Sequence, residues 1–275
     1  MKSFIRALGR EAESRATALA TNRGGETATL YFGGGTPSML SDTHLGRLME
    51  TLDRLVPVDK LDEFSFEANP ATFTEKKVRF WRSLGMTRVS LGVQSLDSGI
   101  LHLLGREHTP AQALHSVEML KNAGMAHINM DLMFAIPGQT LSIWEATLKE
   151  AVRAGTDHIS AYNLTYEEDT EFFRSLLRGE KRQDPDEDAS FFELAEHMLE
   201  AAGMRHYETS NYAREGCLSP HNMAYWKGED YVGIGPGAVS TINGIRYSNT
   251  RDTDAYIRSC LLYTSDAADE ARSVD

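Results

Sequence analysis

Only two cysteines, Cys217 and Cys260, occur among the 275 residues. They are too few for a disulfide scaffold and too far apart for a zinc knuckle. Two thiolates also cannot supply a conventional four-ligand iron–sulfur site. Cys217 reads as a free thiol. Positive charge is scarce as well: 28 Lys and Arg against 40 Asp and Glu leave a net charge of −12. Non-specific nucleic-acid binding needs a basic surface that displaces counterions, so no nucleic-acid partner is expected. No run approaches the roughly 18 apolar residues of a membrane span, so none is expected. Residues Met1 to Leu8 lack the apolar centre of a signal peptide. A cytoplasmic protein is the expectation. There is no Gly-x-x-x-x-Gly-Lys-Ser/Thr motif, and Gly33-Gly34-Gly35 does not match the Gly-x-Gly-x-x-Gly dinucleotide fingerprint.

What remains is a globular composition, 41% hydrophobic, with length enough to bury a sizeable core. Phe4, Ile5, Leu8 and Ala12 recur at helical spacing and predict a helix over residues 1–20. Short apolar strands then alternate with helices. The strands are Thr27–Phe32, Glu63–Phe66, Arg88–Val93, His127–Met133 and His158–Leu164. The helices start near Ser41 and cover Thr74–Leu84, Pro110–Asn122 and Ser142–Ala154. Strands separated by one helix each are the signature of βαβ units and a parallel sheet, hence an α/β fold. Residues 178–188 are polar and read as a solvated loop. A helix over 187–202 follows. Beyond it lie Tyr207–Tyr212 and a glycine-rich stretch, Val232–Ala238, that predicts tight turns. Residues from about 260 onward continue no recognisable pattern and are left out of the fold reading.

The polar residues of the alternating region fall at strand ends. Gly33 to Ser38 follow the first strand and Glu67 to Pro70 the second. Gln94 follows the third, Asp131 lies near the end of the fourth, and Tyr162-Asn163 close the fifth. A β/α barrel places its active site at the C-terminal ends of its strands, so these groups are expected to share one rim. Three glycines permit close backbone approach, and Thr36 adds a hydroxyl. Glu67, Asp131 and Gln94 supply acceptors and an amide that suit an amino group and ribose hydroxyls. A ligand carrying both an amino acid and a ribose fits that set. The plainer alternatives are a carboxylate paired with Arg88 or Arg106, and Gln94 bonding the backbone at a strand end.

Several stretches occur in a family-specific order: Gly33–Ser38 (GGGTPS), Glu67–Pro70 (EANP), Gly92–Ser95 (GVQS), Leu104–Arg106 (LGR) and Asn129–Met133 (NMDLM). Tyr207–Tyr212 (YETSNY), His221–Tyr225 (HNMAY) and Asp230–Gly237 (DYVGIGPG) follow. Spanning about Phe4 to Ser259, they resemble the radical-SAM family that includes oxygen-independent coproporphyrinogen III oxidases and HemW-type haem chaperones. The resemblance implies a partial (β/α)6 barrel over residues 1–177, lacking its first strand and cluster loop. It also implies an α+β C-terminal extension over 178–259 and a non-native tail over 260–275. It places the amino-acid end of S-adenosylmethionine at Gly34, Gly35 and Thr36, and the rest at Glu67, Gln94, Arg106 and Asp131. His221 and Tyr225 match the H-N-x-x-Y motif of the chaperone branch and imply haem-iron ligation; a packed, hydrogen-bonded histidine is the plainer alternative. The implied partners are haem and a haem-acceptor protein. The family's [4Fe–4S] cluster is held by a CxxxCxxC motif, and no such motif stands in this sequence. Without a cluster no electron reaches the sulfonium and no 5′-deoxyadenosyl radical forms. The expectation is a chain truncated at both ends. Three functions stay open: a haem chaperone, a coproporphyrinogen III oxidase, and an inactive cluster-free binding fragment.

Overall fold

A computed structural model describes residues 1–16, 28–165 and 185–270. In chain order the elements are α1 (Lys2–Ser14), β1 (Thr29–Phe32), α2 (Asp42–Leu55), β2 (Glu63–Ala68), α3 (Glu75–Ser83) and β3 (Arg88–Gln94). Next come α4 (Ser98–Leu103), α5 (Pro110–Asn122), β4 (His127–Phe134), α6 (Leu141–Ala154), β5 (His158–Asn163) and α7 (Pro185–Ala201). The last are β6 (Arg205–Glu208), β7 (Asn211–Ala213), α8 (Pro220–Trp226), β8 (Val239–Ile242), β9 (Ile245–Ser248) and α9 (Thr253–Glu270). They group into two compact units. One comprises Tyr31–Met39 and Ser65–Ser219; the other comprises Met1–Leu30, Leu40–Phe64 and Pro220–Asp275.

The first of these units is built on a seven-stranded sheet in the order β1-β2-β3-β4-β5-β7-β6. β2 to β5 pair in parallel, each with the next. β7 runs antiparallel to both β5 and β6. Several helix starts are specified locally. Thr74, Thr109 and Thr140 accept from the backbone at the starts of α3, α5 and α6. Thr109 and Gln112 form a reciprocal capping box with Pro110 in the first turn. Gly155, at φ 66°, ends α6 in the left-handed conformation that glycine adopts without a Cβ penalty.

Successive strand residues point to opposite faces, which gives the sheet two chemistries. Val89, Leu91, Met130, Leu132 and Ile159 are buried with the helices. On that side Trp81 of α3 lies 4.7 Å from the Phe66 ring, and Trp144 of α6 lies 5.7 Å from the Phe134 ring. The other face carries polar rows in strand register. Glu67 aligns with Ser90, Ser90 with Asn129, and Asn129 with His158. One row on, Gly92 aligns with Asp131, Asp131 with Ser160, and Ser160 with Asn211.

The second unit packs α1 against α2 and α9. Glu11 of α1 is buried there and accepts from Gly235 N, Asn249 Nδ2 and Tyr256 Oη at 2.6–2.8 Å. Four donors, counting Arg15 Nε, compensate the desolvated carboxylate. The β8–β9 hairpin turns through Asn243 and Gly244, both at positive φ, as a two-residue hairpin requires.

The differences from the sequence expectations are local. Residues 185–188 are the first turn of α7, not loop; Asp186, Glu187 and Asp188 sit where the helix dipole favours acidic groups. Residues 178–184 lie outside the described residues, as do Thr27 and residues 17–20. α4 has too short an apolar pattern to register as a period. β6 and β7 join the parallel strands in one sheet. The backbone of α9 runs helically past Cys260 to Glu270, through part of the segment left out of the fold reading.

Candidate functional site

The C-terminal strand ends of the sheet-bearing unit enclose a cavity of about 500 Å³, within the range of small-molecule sites. Gly35, Thr36, Glu67, Gln94, Arg106 and Asp131 line it, so six of the seven rim residues expected from sequence meet there. Gly34 takes part through its backbone, donating to Glu67 Oε2 at 3.0 Å. Tyr162 and Asn163 line it too. Tyr31, Ser90, Met133 and Thr165 were not anticipated.

The glycine loop and Glu67 shape one another. Tyr31 Oη donates to Glu67 Oε1. A Cβ on Gly33 would run into the Tyr31 ring and lie 2.7 Å from Glu67 Oε1, so glycine leaves room for the Tyr31–Glu67 pair. Gly34 and Gly35 take φ of 76° and 63°, and a Cβ on either would meet nothing within 4 Å. The side on which a Cβ would stand is therefore open at both positions. Thr36 Oγ1 accepts from Asn69 Nδ2 at 3.3 Å, tying the loop to the end of β2.

Gln94 carries the clearest strain. It adopts φ 67°, and the β3–β4 register shifts between Gly92 and Gln94. A left-handed non-glycine residue costs roughly 1–2 kcal/mol. A bulge re-aims the side chain at a strand end, here toward the cavity.

Asp131 is held from below. Ser90 Oγ donates to its Oδ2 at 2.8 Å, and Asn129 Nδ2 donates to its Oδ1 at 2.7 Å. Asn129 also bonds Ser160, and it meets His158 Nδ1 at 2.6 Å. His158 Nε2 continues the chain to Tyr207 Oη at 2.8 Å. Burial pushes the Asp131 carboxyl up to about 6; the Ser90 and Asn129 bonds oppose that shift and the Glu67 charge adds to it. Burial pushes the Tyr31 phenol far above its ordinary range, with Glu67 adding to the shift. Burial lowers Arg106, and the Asp131 charge acts in the opposite direction. His158 is driven down to about 3, chiefly by desolvation and then by the Arg88 charge, so the network holds a neutral imidazole. Arg88 itself donates to the carbonyls of Cys217 and Leu218 at 3.0 Å. The polar strand residues behind the rim were a missed signal: Ser90, Asn129, His158 and Ser160 interrupt apolar strands at period two.

A sequence profile of the radical SAM superfamily matches residues 10–151, just over half of the chain. The chain belongs to the radical SAM superfamily. Within it the chain is similar to the protein named heme chaperone HemW in Lactococcus lactis, at 37% identity over 232 residues. That match covers 84% of this chain and 61% of the relative. HemW of Bacillus subtilis is 36% identical over 83% of this chain and 61% of its own length. A zebrafish (Danio rerio) protein named radical S-adenosyl methionine domain-containing protein 1, mitochondrial, is 36% identical over 81% of this chain and 50% of its own. This radical SAM chain thus spans about three-fifths of its HemW relatives. The solved HemN coproporphyrinogen III oxidase of Escherichia coli superposes with a TM-score of 0.77 at 22% identity, over 94% of this chain and 62% of that one. The superposition shows the radical SAM fold.

Membership of the superfamily implies S-adenosylmethionine and a [4Fe–4S] cluster. The rim fits the first: open glycine backbone, a hydroxyl, two carboxylates and a guanidinium surround one cavity. The cysteines do not fit the second, because Cys217 and Cys260 are the only two in the sequence.

His221 and Tyr225 lie on α8, in the other unit. His221 Nδ1 meets Thr29 Oγ1 at 2.8 Å, and burial lowers its pKa. The Tyr225 ring packs edge-on to His221 at 5.1 Å and to Tyr231 at 4.6 Å. Tyr225 is nevertheless 48% exposed. Among the described residues, no helix is long and apolar enough to cross a membrane.

Proposed function

We propose that this chain is a HemW-like haem-binding protein whose sheet-bearing unit holds S-adenosylmethionine in the rim cavity. The observation that supports this most is the convergence of Glu67, Gln94, Arg106 and Asp131 with the Gly34–Thr36 loop around one cavity. S-Adenosylmethionine carries a sulfonium, an ammonium and one carboxylate, a net single positive charge. With both carboxylates ionised, Glu67, Asp131 and Arg106 sum to a net single negative charge, so the electrostatics are complementary. Gly34, Gly35 and Thr36 take the amino-acid end. Glu67, Gln94, Arg106 and Asp131 take the remainder, including the ribose hydroxyls. His221 and Tyr225, four residues apart on one helix face, ligate haem iron, and the haem is passed on to an acceptor protein. The proposal concerns binding, and no radical step is drawn through a cluster.

Calorimetry with S-adenosylmethionine tests the rim. Glu67→Ala and Asp131→Ala are each expected to weaken binding about 10- to 100-fold, the loss of one charge-assisted hydrogen bond. Binding unchanged in both variants would sink the assignment.

A further inference from the structure

The end of the sheet opposite the rim carries a second cluster of ligating side chains. His127 is the first residue of β4, Asp157 immediately precedes β5, and Cys217 lies in the turn just past β7. The strand pairing explains why they meet. β4 and β5 are neighbours, and His158 of β5 aligns with Ala213 of β7. Arg214 N donates to Asp157 O at 2.9 Å, and Cys217 N donates to Arg214 O at 3.0 Å, which fixes the turn.

The side chains are arranged as ligands to a common point. His127 Nδ1 lies 2.9 Å from Asp157 Oδ2, while Asp157 Oδ1 accepts from Ile128 N at 2.8 Å. One carboxylate oxygen is thus anchored and the other presented, the pattern by which outer hydrogen bonds orient metal ligands. The ligand atoms of His127, Asp157 and Cys217 all lie within 4.8 Å of one another, and all three side chains are half-buried. Tetrahedral zinc, with bonds of about 2.0–2.3 Å, holds its ligand atoms about 3.3–3.6 Å apart. The His127–Asp157 separation of 2.9 Å lies just under that spacing and no other exceeds 4.8 Å, so side-chain shifts of about 1 Å bring all three onto one ion.

We propose that His127, Asp157 and Cys217 form a binding site for Zn²⁺, with a fourth position left to solvent. Imidazole, carboxylate and thiolate are a ligand set suited to Zn²⁺ and not to Mg²⁺ or Ca²⁺. The Arg88 guanidinium, bonded to the Cys217 and Leu218 carbonyls, holds the turn and offsets part of the ligands' negative charge. The N-terminal face of a β/α barrel serves stability rather than chemistry, so the ion would act as a clip joining β4, β5 and the segment after β7. The plainer reading of the same atoms is a His127–Asp157 ion pair with the Cys217 thiol hydrogen-bonded to the same carboxylate.

Cobalt(II) added to the reduced full chain separates the two, because a thiolate ligand gives a near-ultraviolet charge-transfer band and an ion pair gives none. The band is expected in the unmodified chain and in Cys260→Ser, and it should be displaced by Zn²⁺. It should vanish in Cys217→Ser, and Asp157→Asn should weaken cobalt binding at least about tenfold. Far-UV circular dichroism confirms that each variant is folded. No band in the folded unmodified chain overturns the proposal. So does a band that survives in Cys217→Ser, or an affinity unchanged in Asp157→Asn.

Discussion

The strand-end rim and the His221–Tyr225 helix are assembled in different ways. At the rim, side chains from strand ends far apart in sequence converge on one cavity. Two glycines and Gln94 hold left-handed backbone there, and a buried network stands behind Asp131. The glycines hold that backbone without penalty, but the cost at Gln94 is sustained only where the surrounding structure over-determines it, which marks a built site. The helix α8 offers two residues brought together by helical periodicity alone, one tied to Thr29 and the other half exposed. Periodicity guarantees that i and i+4 share a face whether or not anything binds. The rim is thus supported by its geometry, and the haem motif by its family resemblance.

The strongest test of that contrast is to break one region and read the other. His221→Ala combined with Tyr225→Ala is expected to weaken haem binding about tenfold or more, seen as loss of the shifted Soret band, since axial ligation dominates haem-iron binding. S-Adenosylmethionine binding should be unaltered in the same protein. An unchanged Soret shift would remove α8 from the site.

A smaller effect comes from pH. The Asp131 carboxyl is pushed up to about 6 by burial, so it is largely protonated below that value and ionised above it. A cationic ligand favours the ionised form, and its affinity therefore rises as pH rises through about 6. Below it, affinity falls by at most about tenfold per pH unit. Calorimetry across that range should show the step, and Asp131→Asn should flatten it. A step that persists in the variant would assign the titration to another group.

The smallest effect is on stability. Gln94→Gly relieves the left-handed strain at the β3 bulge and should stabilise the chain by about 1 kcal/mol, read from chemical denaturation. The same change should weaken S-adenosylmethionine binding by removing the amide. A loss of both stability and affinity would show that Gln94 supports the fold instead.

Much of the architecture was legible in the sequence. Apolar runs of strand length, helical stretches starting near Ser41, Thr74, Pro110 and Ser142, and polar residues just past each strand announced a parallel sheet with a rim. These features are local, and local chemistry decides them: a cap needs its own side chain, and a strand needs its own alternation. Less legible was whatever depends on register between strands. Ser90, Asn129, His158 and Ser160 look like unrelated polar interruptions along the chain, yet pairing sets them side by side beneath Asp131. His127, Asp157 and Cys217 are separated by 30 and 60 residues and share no motif, and only the packing of β4, β5 and β7 brings them together. The two cysteines, read at first as an absence, show the division plainly. Their number is a property of the sequence and excludes a cluster motif. What Cys217 can do depends on its neighbours, and those are set by which strand edges meet.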